Sequence, residues 1–214
     1  MNLIDPRTAI VLACCMSALM SLIFFSLRRR YPASIRGLGE WSLAMLTLFA
    51  GGVLFAGYGI FPDYVATLAI LVMLSGLSIG YMGTQRFFGA SPNVSLHVFL
   101  MGIVLGSLVW FLLVDPNPYA RLRISNTAMT WLFVAHALLI YRQPERTFAK
   151  LFTSGVLVLM ALTQVLRFVT SFTTPESTHL FDKSLENLIY ITSFAFGALL
   201  FSTSAVLLVS ERVL

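Results

Sequence analysis

Apolar residues in this chain run in blocks of about twenty, the length that crosses a bilayer core as a helix, and the blocks are closed by charge, proline and glycine. Seven such blocks are read, at 8–27, 41–61, 64–83, 94–114, 125–141, 148–172 and 188–209. The first ends at Arg28-Arg29-Arg30. It is longer than the apolar core of a signal peptide, no small-x-small cleavage site follows it, and its positive cluster comes after the run, so a retained helix is expected. The second and third form a hairpin about the Phe61-Pro62-Asp63-Tyr64 turn, and Asp115-Pro116-Asn117-Pro118 closes the fourth. The pattern predicts an all-α, polytopic membrane protein: a seven-transmembrane-helix bundle occupying residues 1–214 as a single domain.

Composition agrees, with 58% hydrophobic and 11% charged residues, less than half the charge a soluble domain carries. Too little chain is left between the spans for a soluble catalytic fold. The net charge of +5 acquires meaning only once it is sorted by side. Nine positive residues fall on one side (Arg28, Arg29, Arg30, Arg36, Arg86, Arg142, Arg146, Lys150 and Arg212) and four on the other (Arg7, Arg121, Arg123 and Lys183). Positive residues flanking spans are retained in the cytoplasm, which predicts the amino terminus outside and the carboxyl terminus inside. The charge is thus a topology signal with a contribution from anionic lipid head groups near Arg28 to Arg36, and no nucleic-acid partner is expected. Stretch 173–187, with His179, Asp182, Lys183 and Glu186, is polar enough for a small lid over the outer mouth.

One charge, Arg167, lies inside a span, where an ionisable group costs several kcal/mol unless paired or hydrated. It can snorkel to the outer interface, or it can belong to a site. Gln164 is one turn away on the same face, and Asn187 and Tyr190 begin the returning seventh span at a matching depth. Together they make a candidate pocket for an anionic or hydrogen-bonding ligand, with Trp110 and Trp131 as walls or as members of an interfacial aromatic belt. His97 and His136 lie at similar depth, as two axial haem ligands would, but nothing else supports a metal, and no cofactor is expected. The seventh span has no lysine to hold retinal. Gly76-Leu77-Ser78-Ile79-Gly80 matches a hydrolase nucleophile pattern but sits mid-span without the strand-turn-helix elbow that pattern needs. Gly76 with Gly80, and Gly102 with Gly106, instead have spacing that allows close helix approach, within the bundle or across a homodimer. Adjacent Cys14 and Cys15 are read as packing residues.

Asp5-Pro6-Arg7-Thr8, Arg29-Arg30-Tyr31-Pro32-Ala33-Ser34-Ile35-Arg36-Gly37-Leu38 leading to Trp41, Phe61-Pro62-Asp63, and Gln85-Arg86-Phe87-Phe88-Gly89 occur in an order and spacing that resembles the amino-terminal membrane region of bacterial GGDEF-type diguanylate cyclases. The resemblance implies a sensory input domain in the bacterial inner membrane, working as a homodimer, that detects a small-molecule or lipid signal and regulates a cytoplasmic cyclase through a linker beginning at 210–214. No GGDEF sequence occurs in these residues, so none of the family's nucleotide or metal residues carries over and no cyclase activity is expected of the chain itself. The alternatives are a small membrane transporter, whose discontinuous, symmetry-related helices are not apparent, and a scaffold subunit of a membrane complex.

Overall fold

The computed structural model describes residues 6–32, 35–57, 60–173 and 185–213. These form seven helices: α1 (Pro6–Arg30), α2 (Leu38–Ala56), α3 (Asp63–Phe87), α4 (Val94–Leu113), α5 (Pro118–Tyr141), α6 (Phe148–Thr173) and α7 (Leu185–Val213). Each is long and apolar enough to cross a membrane. The fold is therefore all-α and multi-pass.

The start of α5 and the end of α2 depart furthest from the hydropathy reading. α5 starts at Pro118 rather than 125, because Asn117 caps it by accepting from the Ala120 amide at 3.0 Å and Pro118 occupies the first turn, where its missing N–H is not needed. Hydropathy missed these turns because they carry Arg121 and Arg123. Both arginines are spent on neighbours: Arg121 donates to Thr67 Oγ1 at 3.0 Å, and Arg123 donates to Ser171 and lies over Phe172 at 3.8 Å. α2 ends at Ala56 instead of 61, with Gly57 closing its last turn.

Packing runs α1–α2–α3–α5–α6–α7 and back to α1, so six helices make a closed ring. α4 leans on the outside of the α3–α5 seam and, among the described residues, packs only against those two helices. At the end of the bundle opposite the start of α1, Trp41 is buried between Phe24 and Phe87, with ring centroids 5.6 and 5.0 Å away. Small residues set the close approaches. Ser21 and Ser42 each donate to the other's carbonyl, at 2.8 and 2.9 Å, which joins α1 to α2. A Cβ on Gly76 would meet the Ala44 carbonyl at 3.1 Å, so this glycine packs inside the bundle. Gly102 and Gly106 have nothing within contact distance and face away from it.

Candidate functional site

α6 presents Gln164 and Arg167 one turn apart, and α7 returns beside it with Tyr190 at the same level. The Tyr190 hydroxyl donates to Gln164 Oε1 at 3.3 Å. The Arg167 guanidinium lies over the Tyr190 ring, 4.1 Å from its centroid, a cation–π arrangement that gains strength away from water. Gln164 is fully buried. Three of the six residues singled out in the sequence therefore meet. Asn187 lies in α7, but its side chain is outside the described residues; of the stretch 173–187 read as a lid, residues 174–184 also lie outside them and the ends belong to α6 and α7. Trp110 and Trp131 are 55% and 43% exposed, on α4 and the outer face of α5, and line no part of this site. They stand where a bilayer would contact them, and Trp131 lies 6.5 Å from His97 by ring centroids.

Arg167 and Tyr190 form the polar end of a cavity of about 100 Å3 in the middle of the ring, to which every helix except α4 contributes a wall. Its sides are apolar: Ile10, Leu48, Phe55, Ile70, Met73 and Phe194 among them. Cys14 also lines it, with Sγ 2.5 Å from where a Cβ on Gly52 would be, so Gly52 makes the room that this thiol occupies. The residue that hydropathy overlooked is Asn126. It lines the cavity from α5, is 2% exposed, and its Nδ2 has no hydrogen-bond partner. The hydropathy reading starts the fifth span at 125, which puts Asn126 at its edge. With α5 starting at Pro118, Asn126 instead sits more than two turns inside the helix.

A second cavity of about 30 Å3 adjoins the first, sharing Leu48, Phe194 and Ala198 with it, and reaches Trp41 and His136 at the far end. There the polar groups satisfy one another. Trp41 Nε1 donates to Thr84 Oγ1 at 3.0 Å, the Thr84 hydroxyl donates to the Gly80 carbonyl at 3.1 Å, and His136 Nε2 lies 2.6 Å from the same oxygen. The lone pair left on that oxygen fits an Nε2–H from His136. His97 and His136 both contact Tyr81, with ring centroids 5.4 and 5.7 Å from it, so an aromatic ring stands against each. Among the described residues no three His, Cys, Asp or Glu side chains gather as a metal site would require.

The last turn of α7 is gripped on two sides. The Glu211 carboxylate accepts from the Thr147 hydroxyl and, at 3.1 Å, from the Ala149 amide, so it caps the amino-terminal end of α6. Arg212 donates to the carbonyl of Phe87, the last residue of α3, and lies over its ring. Each charge thus meets the helix end of opposite partial charge. α7 carries both the cavity wall at Tyr190 and the two capping residues.

No protein-family model, curated protein or solved structure matches this chain.

Proposed function

We propose that this bundle is the sensory input domain of a bacterial inner-membrane signalling protein, with its amino terminus outside, and that it controls a cytoplasmic diguanylate cyclase output. The observation that carries the reading is α7 itself. One end walls a buried cavity with polar groups, and the other holds α6 and α3 by their termini, about 30 Å away at helical rise. A ligand that prefers one position of Tyr190 biases the position of the whole helix, and the caps at Glu211 and Arg212 convert that bias into a change where the helix leaves the bilayer. The nine-to-four distribution of positive charge supports the cytoplasmic placement of that end. The resemblance of the loop motifs to cyclase input regions supports the output. Output domains of that type act in pairs, which fits a homodimer, and the exposed apolar flank of α4 with Gly102 and Gly106 offers a surface for it.

The test is cyclic-di-GMP output from a protein in which a GGDEF domain follows this bundle. Arg167→Ala and Tyr190→Phe are expected to shift basal or stimulated output severalfold at unchanged protein level. Output unchanged in both states would remove the cavity from the signalling route.

A further inference from the structure

Asn126 is a buried carboxamide on an otherwise oily wall. Its Nδ2 has no hydrogen-bond partner within the chain, and native interiors seldom leave such a group unpaired. Gln164, one helix away and outside the cavity lining, also carries an unpaired donor. Its Oε1 takes the Tyr190 hydroxyl, while its buried Nε2 has no partner. Arg167, the third polar group at this end, is a donor only. Among the described residues no aspartate or glutamate lines the cavity. Water can pair with the polar groups at this end, but the walls beyond them, Ile10, Leu48, Phe55, Ile70, Met73 and Phe194, are hydrocarbon and favour an aliphatic group.

From this arrangement we infer that the cavity binds a slender aliphatic molecule headed by a hydrogen-bond acceptor, a carboxylate or carbonyl, with the head at Asn126 and the chain directed through the waist at Leu48, Phe194 and Ala198 into the smaller cavity. The inference rests on the sensory reading of the same site and names its ligand class. The walls set the discrimination. Donor groups reward an acceptor head and reject an ammonium, which would bring a second cation beside Arg167 and leave the Asn126 carboxamide nitrogen unpaired. The volume sets the shape: a main chamber of about 100 Å3 continued by a second, narrower one favours a flexible unbranched chain over a rigid ring system. A longer chain has only the adjoining 30 Å3 to enter.

The experiment is equilibrium binding to the purified 214-residue chain in phosphatidylcholine nanodiscs, with three probes of equal chain length: octanoate, its methyl ester and octylamine. Octanoate and the ester are expected to saturate one site, and octylamine is not. Preference for octanoate over the ester identifies a free acid as the source of the acceptor, and equal binding identifies a neutral carbonyl. Asn126→Leu is expected to weaken octanoate about tenfold, and Asn126→Asp to weaken it further while admitting octylamine. Ala198→Leu, which narrows the waist, is expected to weaken octanoate and spare butanoate. Octylamine binding as well as octanoate, absence of binding by every probe, or an Asn126→Leu protein of unchanged melting temperature and unchanged octanoate affinity would each overturn the inference. The head-group series needs only the unsubstituted protein, so a variant that fails to fold does not decide the matter. Because no cyclase is present in this assay, its failure is distinct from failure of the signalling reading, which the cyclic-di-GMP measurement judges separately.

Discussion

Thr84 shows how one hydroxyl can join three helices in a setting without water. Its oxygen receives the indole N–H of Trp41 from α2 and meets His136 of α5, while its proton returns to Gly80 of its own helix α3. Removing it leaves two buried donors facing hydrocarbon. Interhelical hydrogen bonds in membranes are worth on the order of 0.6–2 kcal/mol. Thr84→Val is therefore expected to destabilise the bundle by about 1–2 kcal/mol in a reversible denaturant titration in mixed micelles, and Thr84→Ser by much less. A Thr84→Val protein as stable as the parent would show that Trp41 and His136 find other partners. Asn126 gives the opposite case, a polar residue whose donor the fold leaves open. The different treatment of these two side chains makes the Asn126 end of the ring the place to look for a ligand and the Thr84 end a structural joint.

At the scale of the element, the glycines divide by what surrounds them. Gly83 of α3 faces the start of α2 so closely that a Cβ would lie 2.8 Å from Glu40 Cβ and 2.9 Å from the Trp41 ring. Across that contact Gly37 has φ +93°, and a Cβ there would meet the Gly83 carbonyl at 2.3 Å. This close approach is backbone on backbone and cannot be relieved by turning a side chain. Gly83→Val is expected to cost about 1–3 kcal/mol, seen as a lowered melting temperature, whereas Gly106→Val on the open flank of α4 is expected to leave the monomer unchanged. Equal losses would mean that α4 is packed more deeply than its exposure indicates. The Gly-x-x-x-Gly spacing could not separate these cases, since Gly76 with Gly80 and Gly102 with Gly106 read alike in sequence and face opposite environments in space. Hydropathy was informative for the number of helices and for most of their ends. It failed at the start of α5, where Arg121 and Arg123 looked like loop residues because their partners Thr67 and Ser171 are far away in the chain. That error also concealed Asn126. Gln164, Arg167 and Tyr190 were legible because one helical turn and one antiparallel neighbour suffice to bring them together. Trp110 and Trp131 carried no such constraint, since period and depth do not say which face of a helix meets its neighbours.

At the scale of the whole molecule, the question is whether the cavity and the last turn of α7 report on one equilibrium. The geometry gives the equilibrium a lever, because a rigid helix joins Tyr190 to Glu211 and Arg212, and the caps those residues make on α6 and α3 break if α7 slides or turns. Linkage then makes a demand that mere disruption does not. If two states of the bundle differ in octanoate affinity and in cap formation, weakening a cap must shift the apparent affinity as well as the basal output, by the same coupling free energy of about 1–3 kcal/mol at most. Arg212→Ala, which leaves the cavity untouched, is accordingly expected to change cyclic-di-GMP output in the cyclase-bearing protein and to change octanoate affinity severalfold in the matching direction. Glu211→Gln is expected to act in the same sense, since it removes the negative charge from the α6 terminus while keeping the side chain's size. An output change at constant affinity would place the caps downstream of the ligand-sensitive step, as part of the connection to the output domain rather than of the two-state bundle.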